Sequence, residues 1–250
     1  MSATDPALWG YALVLAIGTV AGLVSGIVGT GATIILLPVL ALVFGPKAAI
    51  PIMSIVALMS NFAKITSWWR EIDWRATAAY AAGGIPGAAL GARTMLSLPP
   101  RLVDVALGTF FLVMIPGRRW LAARNYTVGL PLLAVGGLAI GFLTGIVVST
   151  GPITVPLFSA YGLVKGGFIA TEAASSLAMY ISKAITFRTF GALPTDMIVR
   201  GLITGSSVMA GTYLAKRLVE RLSIASFQRL LDVVMLLSGC SLLWAALDWR

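Results

Sequence analysis

Apolar residues run along this chain in long unbroken stretches instead of alternating with polar ones, and Gly, Pro and charged residues mark where each stretch ends. The pattern predicts ten helices, near 8–28, 32–44, 47–69, 75–93, 101–117, 127–148, 152–163, 167–188, 195–215 and 226–247. About 18 apolar residues suffice to cross a hydrocarbon core of about 30 Å, and most of the ten meet that length. The second and seventh do not. At 1.5 Å per residue they reach only roughly 18–20 Å, so they either span poorly or enter and leave on one side. No polar stretch is long enough to fold as a soluble domain; the longest polar loop is 216–229. The expected fold is an all-α polytopic membrane protein of about ten segments, with eight to ten crossings.

The segments fall into two sets of five. The run Gly22-Leu-Val-Ser-Gly-Ile-Val-Gly-Thr-Gly31 returns 119 residues later as Gly141-Phe-Leu-Thr-Gly-Ile-Val-Val-Ser-Thr-Gly151, and each copy leads into a short apolar stretch closed by a proline, Pro38 or Pro156. Lys64, in Ser60-Asn-Phe-Ala-Lys-Ile-Thr, lies 119 residues before Lys183, in Tyr180-Ile-Ser-Lys-Ala-Ile-Thr. Arg101-Leu-Val-Asp104 echoes Arg229-Leu-Leu-Asp232. Two repeats, 1–125 and 126–250, follow. Because five is odd, the second would enter the membrane with inverted orientation, the plan of many secondary transporters.

Charge tests the topology. With ten crossings and the N-terminus outside, ten Lys/Arg fall in inside loops (Arg70, Arg75, Arg118, Arg119, Arg124, Lys165, Lys216, Arg217, Arg221, Arg229) and six outside, the sense of the positive-inside bias. Eight crossings nearly remove the bias.

Composition narrows the class. The chain is 58% hydrophobic and 11% charged, against about 25% charged for soluble domains, with a mean hydropathy of +0.95. A net charge of +9 would suggest nucleic acid in a soluble protein. Here it belongs to membrane-flanking loops, and no nucleic-acid partner is expected. The single cysteine, Cys240, excludes an intrachain disulfide and a thiolate cluster, and the chain has no histidine, so neither a metal nor a cofactor is expected. Met1–Leu8 lacks the basic start of a signal peptide, and the first stretch is expected to remain a membrane helix. Trp68, Trp69, Trp74, Trp120, Trp244 and Trp249 sit at segment ends, as an interfacial aromatic belt would place them.

The repeated motif carries the candidate chemistry. A chain broken at Gly29-Thr-Gly31 and again at Ser149-Thr-Gly151 leaves unpaired N–H groups at the start of each short segment, and helix N-termini of this kind hold anions. Ser25, Thr30, Thr33, Thr144, Ser149, Thr150 and Thr154 add hydroxyl donors, while Gly26 and Gly145 let backbone approach closely. The plainer reading is helix packing through small-xxx-small faces, with Gly22/Gly26 and Ser25/Gly29 at that spacing. One copy alone favours packing; two copies, each ahead of a short segment, favour a site. Lys64 and Lys183 are intramembrane cations suited to an anion, or else long side chains snorkelling near segment ends. Glu172 is one of few carboxylates inside an apolar segment. It is a candidate proton carrier, against the plainer reading of a helix-start carboxylate favoured by the dipole. Asn61 and Ser182 either line the path or bond a neighbouring helix.

These residues are familiar together. G-x-x-S/T-G-I-x-G-x-G, repeated about 120 residues on in a chain of this length, resembles the sulfite exporter TauE/SafE family of bacterial inner-membrane proteins. The second copy departs from the first, with Val148 in the place of Gly29 and Pro152 after Gly151. The resemblance implies a multi-pass, proton-linked transporter of sulfite, sulfoacetate or another C2 organosulfonate, with membrane lipid as its surroundings and a homo-oligomer left open. A passive anion channel and a membrane scaffold or assembly protein are the alternatives. An enzyme is disfavoured, since there is no histidine and no pair of intramembrane aspartates.

Overall fold

The breaks in the apolar pattern are where the helices end. The computed structural model describes residues 8–28, 32–44, 46–99, 127–146 and 151–219, with isolated helical positions between 105 and 116 and at 236 and 240. The helices are α1 (Leu8–Val28), α2 (Ala32–Phe44), α3 (Pro46–Trp68), α4 (Trp74–Ser97), α5 (Leu130–Ile146), α6 (Gly151–Tyr161), α7 (Lys165–Thr189) and α8 (Thr195–Val219), with one 3₁₀ turn at Trp69–Glu71. Among the described residues there is no strand. The segments expected at 101–117 and 226–247 lie almost wholly outside them, as do Gly29, Thr30, Gly31, Ser149 and Thr150.

Several boundaries have a local cause. Asp73 caps α4, its Oδ1 accepting from Arg75 N at 2.9 Å and Ala76 N at 3.0 Å, which supplies two of the orphan donors of a helix start. The helix then runs four residues past the expected end at 93. It stops only where Leu98, ahead of Pro99, takes the extended conformation (φ −87°, ψ 144°) that a following proline imposes. α5 starts at Leu130, not 127, with Pro131 in its first turn, where a missing N–H costs nothing. α8 continues to Val219, into the stretch expected to be loop. Pro51 and Pro86 lie inside α3 and α4, and Ser54 Oγ donates to the Pro51 carbonyl at 2.6 Å.

α1 over Leu8–Ile27 and the stretch Ala48–Glu71 are each long and apolar enough to cross a membrane. α4, α7 and α8 have the length, at 24, 25 and 25 residues, but carry more Gly, Ser, Thr and charge. Large apolar side chains cover the outer surface, among them Leu42, Leu90, Val135, Ile185 and Leu214, as a lipid-facing surface requires.

Packing divides the helices in an unexpected way. One core gathers Val14, Leu36, Leu40, Ile52, Met53 and Val208 from α1, α2, α3 and α8. A second gathers Tyr80, Leu133, Ile140, Phe158, Phe168 and Met179 from α4, α5, α6 and α7. Among the described helices, each bundle therefore takes three from one half of the chain and one from the other.

Glycines set the two tight crossings. A methyl group at Gly22 would strike the Val208 backbone, at Gly26 the Thr212 backbone, and at Gly211 the Thr19 carbonyl. Across α4 and α5, one at Gly141 would strike the Gly84 backbone, at Gly145 the Ala88 carbonyl, and at Gly87 the Leu138 carbonyl. The α1 and α5 positions differ by 119, and the α8 and α4 positions by 124, in every one of these contacts. The two bundles meet where α3 crosses α7. The start of α7, at Gly166, lies against Trp68 and Glu71, and Phe187, near its end, clusters with Ile55 of α3, so the two helices run antiparallel.

Candidate functional site

α3 and α7 are the helices that carry polar groups inward. Ser54, Ser60, Asn61 and Lys64 of α3 are buried, as are Thr171, Glu172, Ser175, Ser176 and Lys183 of α7. Lys64 is 4% exposed, Glu172 4% and Lys183 0%. Neither lysine snorkels out of the fold. Glu172 is not at its helix start either: α7 begins at Lys165, which puts the carboxylate two turns in, beyond the first turn where the dipole acts.

The charges form two groups toward opposite ends of the α3–α7 crossing. In the first, Lys64 Nζ donates to Asn61 Oδ1 at 3.2 Å and is drawn electrostatically to Glu172 across the crossing. Ser176 Oγ donates to Glu172 Oε1 at 2.7 Å. Glu172 Oε2 and the Tyr80 hydroxyl, both buried, have no hydrogen-bond partner among the described residues. Tyr80 of α4 and Tyr180 of α7 lie within electrostatic reach of the same carboxylate. Just outside this group, the Asp73 amide donates to Thr171 Oγ1 at 3.0 Å and the Tyr161 hydroxyl to Asp73 Oδ2 at 3.3 Å, pinning α4, α6 and α7 together.

In the second group, Lys183 Nζ donates to the Thr144 carbonyl at 2.8 Å and sits 5.4 Å from the Phe187 ring centroid. Thr144 is in the last turn of α5, whose carbonyls lack intrahelical donors and carry the negative end of the dipole. Lys183 thus stands beside the second glycine motif. Thr144 Oγ1 itself donates back to Ile140 O at 2.7 Å.

Of the other residues expected at the site, Ser25 is buried in α1, and Thr33 and Thr154 are buried in the first turns of the two short helices. Gly151 opens α6. Gly26 and Gly145 lie against α8 and α4, where close helix packing accounts for them. Ser182 bonds the Ile85 carbonyl of α4 at 3.0 Å, the helix-to-helix bond that was its plainer reading. Glu172 joins Lys64 and Asn61, and Lys183 joins Thr144; no contact links the two groups to one another among those described above. Sequence reasoning missed Tyr80, Ser176 and Tyr180. Only Tyr180 carried a signal, standing 119 residues after Asn61.

Among the described residues no cluster of His, Cys, Asp or Glu could hold a metal ion. Buried hydroxyl, amide and ammonium groups gather at the crossing, and among the described residues Glu172 is the one carboxylate buried with them. Neither the curated proteins nor the solved structures compared with this chain include a match. Its sequence does match, over residues 14–242, the model of the sulfite exporter TauE/SafE family, and the chain belongs to that family.

Proposed function

We propose that this protein is a secondary transporter of a small sulfur-containing anion, sulfite, sulfoacetate or another C2 organosulfonate, in the bacterial inner membrane. Membership of a membrane transporter family gives the general class: transport of a sulfite-type anion, with lipid and a small anion as partners. The observation that carries the finer reading is the burial of Lys64, Lys183 and Glu172 at the crossing between the two bundles. Ionisable groups so placed in a membrane protein are costly and mark transport pathways.

Two inverted repeats, 1–125 and 126–250, supply the alternating access. Three features support them: the constant spacing of the glycine contacts, the exchange of the fourth helix between bundles, and the antiparallel α3–α7 crossing. In this reading the anion binds at the glycine motifs ahead of α2 and α6, with donors from Gly29, Thr30 and Gly31, from Ser149, Thr150 and Gly151, and from Ser25, Thr33, Thr144 and Thr154. Lys64 and Lys183 supply positive charge at the two ends, and Glu172 carries a coupling proton.

Thermal stabilisation of detergent-purified protein tests this against sulfite, sulfate, thiosulfate, sulfoacetate, taurine, isethionate, acetate and phosphate. A shift confined to sulfite or sulfonates is expected, and Gly29→Leu or Thr150→Val removes it. No shift with any of them at millimolar concentration refutes the anion site. Proteoliposome flux unaffected by a pH gradient would favour a passive channel.

A further inference from the structure

We infer that Glu172 is the internal counter-anion of Lys64, that the transported anion displaces it from the ammonium, and that Glu172 takes up one proton as it leaves. The inference rests on the transport reading above and specifies its coupling.

Lys64 and Glu172 are both buried, sit on different helices of the crossing, and attract one another. In the empty protein the two charges cancel. A monoanion arriving at Lys64 would leave the buried group with a net negative charge, which a low-dielectric interior opposes strongly. Protonation of Glu172 restores neutrality. The empty state is then Lys64⁺ with Glu172⁻, and the loaded state is Lys64⁺ with the anion and neutral Glu172. Both are uncharged overall, and the proton enters with the anion in a one-to-one ratio.

The surroundings suit a carboxyl group that changes state. Oε1 is held by Ser176, while among the described residues Oε2 has no hydrogen-bond partner, and neither does the nearby Tyr80 hydroxyl. A proton on Oε2 would give it a donor, and the phenol oxygen of Tyr80 is an acceptor without a bond. The titratable groups around Glu172 are Lys64 from α3, Tyr80 from α4 and Tyr180 from α7. Asp73 and Glu71 lie nearer the start of α7, and Lys183 lies three turns further along it, at Thr144. Lys64 is therefore the only cation in electrostatic contact with Glu172 among the described residues.

Glu172→Gln separates the steps. The loaded variant is neutral, but the empty one holds an uncompensated buried cation. In proteoliposomes it should keep isethionate counterflow within about threefold of wild type, lose at least about tenfold in net flux, a barrier of about 1.4 kcal/mol, and lose its response to a pH gradient. Net flux that stays near wild type and still follows pH overturns the inference. Should the variant fail to reach the membrane, wild-type protein in weakly buffered detergent decides: isethionate, a strong acid's anion, should draw one proton per molecule bound, and no proton uptake overturns the inference. The pair itself is tested without transport. Lys64→Gln should lower the melting temperature, and Lys64→Gln with Glu172→Gln should recover most of the loss; additive losses overturn the pairing. Wild-type protein with no counterflow and no thermal shift for any anion of the panel, beside a double variant that recovers stability, would refute the transport reading and leave the pairing standing.

Discussion

The repeat glycines can be assigned to packing or to ligand binding by one pair of variants, Gly22→Ala and Gly141→Ala. A methyl group at Gly22 would sit 2.8 Å from the Val208 carbonyl carbon and 2.9 Å from its Cα; one at Gly141 would sit 2.8 Å from Gly84 Cα and 3.0 Å from its carbonyl carbon. Carbon contacts are optimal at about 3.5–4.0 Å, and the obstacle is backbone in both cases, so the helices must part by roughly 1 Å. Overpacking of this kind costs about 1–3 kcal/mol. Alanine's better helix propensity returns about 1 kcal/mol, leaving a net loss of up to about 2 kcal/mol. At about 2–4 °C per kcal/mol for a chain of this size, each variant should melt below wild type by up to about 8 °C, read by intrinsic tryptophan fluorescence. Gly167→Ala is the control: its methyl would meet only the Glu71 carbonyl, at 3.5 Å, and it should melt at or slightly above wild type. The loss should be equal with and without a stabilising anion. Unchanged melting of the anion-free variants, with the anion-induced shift abolished, would refute the packing account and make the glycines ligand contacts.

Thr212 Oγ1 donates to the Val208 carbonyl at 2.8 Å and reaches the Gly22 carbonyl of α1 at 3.2 Å. Thr212→Val should therefore cost about 0.6–1 kcal/mol, the usual worth of one interhelical bond in a membrane bundle, read as a small drop in melting temperature. Asp73→Ala removes the cap of α4 and the acceptor of the Tyr161 hydroxyl. A loss of about 1–2 kcal/mol is expected, with faster hydrogen exchange in the first turn of α4 as its local signature. Lys183→Met leaves the Thr144 carbonyl without this donor but also removes a buried charge. These effects oppose one another, so melting should change by no more than about 1–2 kcal/mol in equivalent stability, while the anion-induced shift falls by most of its size. Retention of that shift would reduce Lys183 to a helix cap.

The element order was legible because membrane helices are written in runs of apolar residues, and their ends in proline and glycine. Helix ends were less so. α4 outran its expected end because the charge of Arg93 read as a boundary, whereas the helix continues through Thr94, whose hydroxyl bonds back to Leu90 O, and Pro99 is the real stop. The likeness of the runs at Gly22 and Gly141 was legible, but not which helices they pack against, α8 and α4, since periodicity along one helix does not name its partner. For the site, the placement of Lys64 and Lys183 near segment ends read equally as snorkelling. Their burial follows from which face α3 turns toward α7, and that is a tertiary fact. Tyr80 was invisible for the same reason: an aromatic among alanines and glycines is unremarkable until its hydroxyl is found buried beside a carboxylate.

Two kinds of contact hold this molecule, and they divide the work. In lipid no hydrophobic force drives helices together, so association depends on close backbone packing and on polar bonds. The α1–α8 and α4–α5 crossings rest mainly on the first: glycine meets backbone, with the Thr212–Gly22 bond added between α1 and α8, and such contacts carry no charge and lose dispersion energy steeply with any separation. The α3–α7 crossing adds charge to the second: Lys64 and Glu172 attract one another across it toward one end, and Lys183 is buried toward the other, bonded to α5. Charged groups can exchange partners at nearly constant energy so long as the sum of charge is unchanged, which interlocked backbones cannot do. Under the transport reading proposed above, a crossing that holds an exchangeable charge pair between two closely packed bundles is where alternating access would cost least. It is also where a bound anion would change the balance most.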